Sequence, residues 1–172
     1  MPASQELIVQ PSRDARDSSV VRGILPFFSV WAHVLFDTGA SCSFISDRFA
    51  RMLSLPVEPL PDPLYVDTPG AHVYRVGTVC RACEFSICDH IFLFDFVVFG
   101  LFGFDVVLGM DWLSHFHAVI DCERRRVTMR APSGIEICYQ GEHFPSLPYS
   151  RKARTSLCCM LTSLSIFAPC CL

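Results

Sequence analysis

The sequence predicts a single-lobe, all-β domain with one or two short helices. Short runs rich in Val, Ile, Leu and Phe alternate with turns that contain Gly or Pro along most of the 172 residues, a pattern typical of strands. One of these runs, Val34-Leu35-Phe36, leads directly into an acidic residue, Asp37, and a glycine bend. A chain of this length has room for one domain with its own hydrophobic core and for terminal tails.

The charge balance argues against a nucleic-acid-binding domain. The formal net charge is −3 and the pI is about 6.0, so no extended basic surface is expected. A solvated hairpin turn explains the basic run Arg124-Arg125-Arg126 better than a phosphate-binding patch does. We therefore expect no nucleic acid among the partners of this domain.

The first nineteen residues are polar and lack the apolar core of a secretory signal. They predict a disordered leader (1–19) and a protein of the cytoplasm or of an intracellular particle that is not secreted. In such a reducing compartment, the ten cysteines are expected to be free thiols. Cys80 and Cys83 could begin a zinc site, but no second pair follows at ligand spacing, and unliganded strand cysteines are favoured. Neither a metal nor a cofactor is predicted.

Residues 20–36 predict two strands joined near Phe28-Ser29, of which the second delivers Asp37. After the glycine bend, Ser46 is suited to cap a short helix that ends before Pro56. Three apolar residues fall on the packed face of this helix: Phe49, Met52 and Leu53.

Residues 56–63 are rich in proline and too irregular for a helix. Two strands are expected next, Leu64 to Val66 and Val73 to Val79, on either side of the turn Asp67-Thr68-Pro69-Gly70. This stretch therefore predicts a hairpin with a turn at its tip. Pro69 has no N–H to donate, so this turn cannot copy the bend that follows Asp37.

Residues 84–88 predict a further strand, and residues 91–108 are almost wholly apolar. A membrane helix has to be considered for a run of this length. However, Asp95 and Asp105 would each cost about 2.5–3.5 kcal/mol at bilayer depth. The β-branched and aromatic composition favours two buried strands, broken around residues 100–103, and no membrane association is expected.

Residues 110–115 predict one helical turn that carries Trp112 and Leu113 into the core. Asp111 is expected to cap that turn or to bond a neighbouring loop. Residues 118–122 and 127–130 predict two more strands. Three histidines were considered as bases: His33, His115 and His117. None is placed to act on a Ser or Cys nucleophile, so we expect them at the surface or in strands where their ring nitrogens are hydrogen-bonded.

Asp37 ends an apolar strand, which is an unusual place for a carboxylate. It must find hydrogen-bond donors or carry a raised pKa, because desolvation disfavours its charged form. Gly39 allows a tight turn that brings backbone N–H groups close, and Thr38 adds a hydroxyl. The result is a rigid carboxylate aimed at a cleft, although a simple turn-forming Asp-x-Gly is the alternative.

The segment Asp37-Thr38-Gly39-Ala40-Ser41, after its apolar run, resembles the active-site loop of aspartic proteases. A second segment, residues 104–113, resembles the apolar-apolar-Gly element that such folds place beside that loop. Together with Ala118-Val119-Ile120-Asp121-Cys122, these segments are similar to the retropepsin-like protease domain of gypsy-type LTR retrotransposon gag-pol polyproteins. The resemblance implies a closed β-barrel of the acid protease fold.

The resemblance implies residue roles as well as a fold. The implied catalytic residues are Asp37, Thr38 and Gly39, and the implied substrate-binding residues are Ala40, Ser41, Thr68, Pro69 and Gly70. The hairpin tip would then be a flap that closes over a bound peptide, while an ordinary surface turn stays an open alternative. An acidic residue and an Arg that pair in the retroviral enzymes are both replaced here, by Ser41 and Met110.

One such loop supplies only one of the two carboxylates that this chemistry needs. The resemblance therefore implies a homodimer that hydrolyses polypeptides, its own polyprotein included. Two other interpretations stay open: an inactive remnant that serves as a dimerisation or peptide-binding module, and a membrane-associated structural protein. The expected boundaries are 1–19 for the leader, 20–142 for the protease domain and 143–172 for an unstructured or foreign C-terminal extension.

Overall fold

The computed structural model describes residues 21–68, 72–142 and 165–166. Within these ranges the chain forms eleven strands and two short helices. In chain order they are β1 (Val21–Phe27), β2 (Val30–Phe36), β3 (Phe44–Ser46), α1 (Asp47–Met52), β4 (Glu58–Thr68), β5 (His72–Ile87), β6 (His90–Phe99), β7 (Val106–Leu108), α2 (Met110–His115), β8 (Val119–Asp121), β9 (Arg126–Arg130), β10 (Glu136–Gln140) and β11 (Ser165–Ile166).

Six strands close into a ring in the order β1-β2-β7-β3-β6-β5, and a pairing of Phe27 with Phe85 joins β5 back to β1. β4 and β11 extend the sheet beyond β5, while β8, β9 and β10 form a separate three-stranded sheet. The pairs β2–β7 and β3–β6 are parallel. The predicted fold class is confirmed: the described chain is a single all-β lobe with a closed sheet and two short helices.

The first hairpin follows the sequence pattern closely. Buried and half-buried residues alternate along the whole of β1, as expected for a strand with one face in the core. β1 and β2 pair without a slip from Val21–Phe36 to Phe27–Val30. Phe28 adopts a positive φ of 51° in the two-residue turn, so the joint that the sequence predicts at Phe28-Ser29 is confirmed.

The buried residues form two hydrophobic clusters. The first fills the ring with aromatic side chains, among them the stacked pair Phe27 and Phe85, whose ring centroids lie 4.7 Å apart. The second cluster is smaller and lies around the loop that follows β2. It contains Leu35, Ala40, Phe44, Val66, Val76, Val97 and Val107.

Both predicted helices are present. In α1 the Ser46 hydroxyl accepts a hydrogen bond of 3.0 Å from the backbone N–H of Phe49, which satisfies one of the free donors of the first turn. Phe49 is buried, but the side chain of Met52 is 58% exposed, so placing Met52 on the packed face was wrong. α2 has the predicted bounds, and Trp112 and Leu113 are buried as expected.

The hairpin before β6 is longer than the sequence indicates. The proline-rich stretch, which was expected to be irregular, already belongs to β4, and the register shifts between Pro59 and Leu64. The two separate strands predicted on the return side are one strand, β5, with an irregularity between Cys80 and Cys83. Ala82 takes a positive φ of 47° at that point, and a bulge of this kind bends the strand and increases its twist.

The apolar stretch 91–108 forms β6 and β7 with a break after Phe99, which confirms two strands in place of one helix. Most of the side chains of β6 that face inward belong to the first cluster. Among residues 21–68 and 72–142, neither helix has the length and apolar character that a bilayer crossing requires.

The C-terminal part differs most from expectation. β8 and β9 agree with the predicted strands, but β10 was not predicted and pairs with β9 along its full length. The extension from residue 143 was expected to have no regular structure, yet Ser165 and Ile166 pair with β4. Residues 1–20 and the remainder of the extension lie outside the described residues, so those two predictions stay predictions.

Candidate active site

Asp37 follows β2, and its position depends on the parallel pairing of β2 with β7. Leu35 pairs with Val107 and Phe36 with Leu108. The ladder continues one step further, because the backbone N–H of Asp37 donates to the carbonyl oxygen of Leu108 at 3.0 Å. The two segments that the sequence singles out therefore lie side by side, at the ends of neighbouring strands.

The carboxylate of Asp37 is only half satisfied. The backbone N–H of Gly39 donates to Oδ1 at 2.8 Å, as expected from the glycine bend. Oδ2 is buried and has no hydrogen-bond partner among the described residues. Burial raises the pKa of Asp37 above its usual value, and the nearby backbone N–H groups of Gly39 and Ala40 counteract this only in part. The group is therefore held in place and prepared to exchange a proton.

Gly109 lets the two loops approach each other. An added Cβ at Gly109 would lie 2.8 Å from the carbonyl oxygen of Ala40 and closer still to that of Cys42, both well inside van der Waals contact. The next two residues, Met110 and Asp111, donate backbone hydrogen bonds to the facing loop. Met110 N–H donates to the Ala40 carbonyl at 2.7 Å. The glycine is required here because backbone packs on backbone.

Asp111 anchors the loop through its side chain. Its Oδ2 accepts from Ser43 N–H at 2.9 Å, and its Oδ1 accepts from the Ser43 hydroxyl at 2.6 Å. The backbone N–H of Trp112 also donates to Oδ1, at 2.7 Å. Asp111 thus bonds the neighbouring loop, which confirms one of the two alternatives that the sequence suggested; it lies inside the first turn of α2, whose N-cap is Gly109.

Ser43 is the functional residue that sequence reasoning missed. Its side chain is fully buried, and its hydroxyl accepts from Gly109 N–H at 3.0 Å while donating to Asp111. A Ser between Cys42 and Phe44 gives no local signal of this role. The one signal in the sequence is Asp111, two positions after Gly109, because a carboxylate at a packed turn needs hydrogen-bond donors from a neighbouring segment.

The comparison with known proteins agrees with this arrangement. A sequence model described as retroviral aspartyl protease matches residues 8–134. The chain belongs to this family. The match begins within the leader that composition predicts and covers most of the described residues. The match therefore shows membership of the retroviral aspartyl protease family, whereas an origin from a gypsy-type retrotransposon is part of the proposal below.

A solved structure shares the fold of this retroviral aspartyl protease family member. It is the retroviral protease-like domain of Ddi1 from Leishmania major, with a TM-score of 0.56 and 16% sequence identity. The alignment covers 75% of this chain and 98% of that chain. At this identity the likeness shows the fold alone, and it confirms the retropepsin-like architecture that the resemblance implied.

The remaining residues of the loop differ in exposure. Ala40 is fully buried and packs in the second cluster, whereas Thr38 and Ser41 are exposed. Thr38 borders an open cavity of about 430 Å³, which is otherwise lined by residues of α2, β8 and the segment between them: Met110, Leu113, Ser114, His117, Ala118 and Ile120. Thr38 is thus the residue of this loop that borders the cavity, and Ser41 does not line it.

The residues implied for the flap are only partly placed. Thr68 is the last residue of β4, while Pro69 and Gly70 lie outside the described residues. Val66, two residues earlier on β4, packs in the same buried cluster as Ala40. β4 and the loop after Asp37 therefore contribute side chains to one buried cluster, and the role of the tip in substrate binding stays a prediction.

Two cysteines and a histidine were considered for a metal site or as a base: Cys80, Cys83 and His33. Cys80 and Cys83 are free thiols buried in the first cluster, and burial raises the pKa of Cys83 to about 12. In the described ranges, no group of three or more His, Cys, Asp or Glu side chains is arranged to hold a metal ion. His33 lies on β2, where its Nδ1 is 3.3 Å from Oδ2 of Asp105.

Proposed function

We propose that this chain is an aspartic endopeptidase whose active site forms between two identical copies. One observation carries the proposal: Asp37 presents a carboxylate with one oxygen held by Gly39 N–H and the other buried without a partner among the described residues. The loop that bears it is fastened to the β7–α2 turn, in a chain that belongs to the retroviral aspartyl protease family.

Peptide hydrolysis by this chemistry needs two carboxyl groups that share one proton around a water molecule. The ionised group removes a proton from the water, and the protonated group donates to the carbonyl oxygen of the scissile bond. The water oxygen adds to the carbonyl carbon, and the C–N bond breaks as the leaving nitrogen takes up a proton. A raised pKa suits Asp37 to this work, because it must be protonated in one copy and ionised in the other.

The second carboxyl group is the reason for a dimer. The sequence contains a single Asp-Thr-Gly triplet, residues 37–39. A two-fold axis that passes beside this loop would bring a second Asp37 next to the first and make the contact isologous. Thr38 is exposed beside the open cavity, where its hydroxyl can bond to the loop of the other copy.

The proposed substrate is an extended polypeptide. It would bond by its backbone to the active-site loop and to the β4–β5 hairpin, as strands do. Ser41 and the tip residues Thr68, Pro69 and Gly70 would contact it, and apolar side chains would fill the neighbouring pockets. We further propose that the chain derives from a gypsy-type retrotransposon, acts inside the cell on a gag-pol polyprotein, and needs no metal or cofactor.

The variant Asp37→Asn tests this proposal. It keeps the size of the side chain and removes the acid–base function, so kcat/KM for a peptide substrate at mildly acidic pH should fall by about 1,000-fold or more. The matched control is Asp89→Asn in the exposed β5–β6 turn, where Asp89 has a positive φ that Asn also tolerates. Sedimentation should give the same dimer for all three proteins.

Unchanged cleavage by Asp37→Asn would contradict the proposed mechanism. A wild-type chain that sediments as a dimer but cleaves no peptide between about pH 4 and 7, the range in which carboxyl groups of raised pKa titrate, would contradict the enzyme. In that case the chain would be a dimerisation or peptide-binding module that keeps the fold without the activity.

A further inference from the structure

The C-terminal strand β11 lies on the hairpin that borders the active-site loop. It pairs antiparallel with β4, Ser165 opposite Asp67 and Ile166 opposite Val66. The other edge of β4 pairs with β5, where Val66 faces Tyr74 and Asp67 faces Val73. β11 therefore occupies the edge of β4 that the hairpin leaves open.

This edge belongs to the neighbourhood of Asp37. Val66 is fully buried and packs in the cluster that contains Ala40 of the active-site loop. Leu35 and Val107 of the same cluster pair with each other in the ladder that leads to Asp37. A segment that pairs with Val66 and Asp67 consequently lies on a strand that packs in the same buried cluster as the loop after Asp37.

An open strand edge has a chemical preference of its own. It presents a row of backbone N–H and C=O groups, and an extended segment can satisfy them by adding a strand. A peptide substrate of the proposed enzyme would use the same type of pairing. Because one N–H group donates to one acceptor at a time, β11 and a peptide that bonds the same edge exclude each other.

We propose that the segment centred on Ser165 and Ile166 is an internal strand that occupies the β4 edge and competes with extended peptides for it. That these peptides are substrates rests on the proposed function, whereas their competition with β11 for the edge does not depend on it. The segment that occupies the edge of β4 is thus part of the same chain.

The length of the intervening chain suits such a contact. Residues 143–164 separate β11 from the last described residue of the lobe, Glu142, and a segment of that length can reach across about 70 Å when extended. A tethered segment acts at an effective concentration on the order of millimolar. Two residue pairs are a weak contact, so this concentration keeps the edge occupied while still allowing a peptide to displace the segment.

Hydrogen exchange in the full chain tests the pairing directly. The double variant Ser165→Pro/Ile166→Pro removes both backbone N–H groups of β11. In an antiparallel pair the hydrogen bonds fall on alternate residues, so one amide of Val66 and Asp67 should exchange about three- to tenfold faster in this variant. The matched control Ser156→Pro/Leu157→Pro places the same two changes elsewhere in the tail and should exchange like the wild type.

Equal exchange in wild type and Ser165→Pro/Ile166→Pro would overturn the proposal. The exchange rates should also be independent of protein concentration, because the contact lies within one chain. A protection that grows with concentration would mean that the strand comes from another copy, and it would overturn the intramolecular assignment.

Peptide binding provides a second readout that does not need catalysis. A fluorescent peptide with the sequence of residues 160–169 should bind Asp37→Asn protein, which cannot cleave it. Adding Ser165→Pro/Ile166→Pro to that protein should tighten binding by about three- to tenfold, because the tethered competitor is lost. Adding the control prolines should leave the affinity unchanged, and equal affinities for all three proteins would overturn the proposal.

Kinetics then separate this inference from the proposed function. If the enzyme is active, Ser165→Pro/Ile166→Pro should lower KM for an unrelated peptide by the same factor and leave kcat unchanged. If the wild type cleaves nothing, the proposed function fails, while hydrogen exchange and peptide binding still decide whether β11 occupies the β4 edge.

Discussion

Asp37 lies in the loop after β2 and Asp111 in the first turn of α2, and the two differ in how completely their carboxylates are bonded. Asp111 accepts three hydrogen bonds, two from Ser43 and one from Trp112 N–H. Asp37 accepts one, from Gly39 N–H, and its second oxygen is buried without a partner in the described part of the chain. A saturated carboxylate holds structure together, whereas a half-satisfied one remains available for chemistry.

The two groups depend on each other through the loop between them. Asp111 fixes Ser43, and the Met110 N–H holds the Ala40 carbonyl. Those contacts keep the bend after Asp37 rigid enough for Gly39 to point its N–H at Oδ1. Asp111 therefore helps to position the loop that carries Asp37, without any direct contact between the two side chains being needed.

The largest expected effect comes from separating the two loops. Gly109→Ala would drive a Cβ into the backbone of Ala40 and Cys42. Because backbone cannot move aside as a side chain can, we expect a loss of about 3 kcal/mol or more in the free energy of unfolding. Urea denaturation measures it. The control is Gly100→Ala, where nothing lies within 4 Å of the added Cβ, and a similar loss in both variants would contradict the close packing.

The next effect comes from removing the saturated carboxylate. Asp111→Ala leaves the buried Ser43 hydroxyl and its N–H without their acceptor, and α2 loses its first-turn bond. We expect a loss of about 2–3 kcal/mol in the free energy of unfolding. Asp62→Ala on the exposed part of β4 is the control and should change stability by less than about 0.5 kcal/mol. If Asp111→Ala were as stable as the control variant, the hydrogen bonds of Asp111 would not stabilise the fold, and its contrast with Asp37 would fail.

The smallest effect has the opposite sign and depends on pH. The folded-state pKa of Asp37 is raised above the ordinary value of 3.8, so its ionised form destabilises the fold. The wild type should lose stability as pH rises from the ordinary value through the raised one. Asp37→Asn removes this loss and should be more stable by about 1 kcal/mol at neutral pH, with the difference vanishing in acid.

Thermal unfolding from pH 3 to 8 measures that difference, and Asp89→Asn in the β5–β6 turn is the matched control. The control should follow the wild type at every pH. An Asp37→Asn protein that is less stable than the wild type at neutral pH would show that the carboxylate is satisfied after all.

Local patterns predicted most of the elements around the site. The alternation of β1, the hydroxyl of Ser46 before α1 and the bounds of α2 all depend on short-range physics that a sequence displays. The resemblance of residues 37–41 and 104–113 to two segments of aspartic proteases also indicated which parts of the chain would lie side by side.

The errors occur where a partner strand overrides local preference. Proline-rich residues 58–63 form part of β4 because β5 pairs beside them and tolerates a register shift at Pro59. β10 is polar on its exposed positions and forms because β9 offers it a complete ladder. Ser43 gave no signal, since its acceptor is 68 positions away in the sequence. Such pairings are set by tertiary context and have no local signature.

The loop that carries Asp37 is finished by residues made much later. Its anchoring contacts span 66 and 68 positions, from Ser43 to Gly109 and to Asp111. Contacts of such long range form slowly, because a large loop must close before they stabilise anything. A nascent chain that ends before β7 can already hold its first hairpin, yet it has no scaffold for a reactive carboxylate. The order of synthesis alone therefore delays assembly of the Asp37 loop until nearly the whole lobe has been translated.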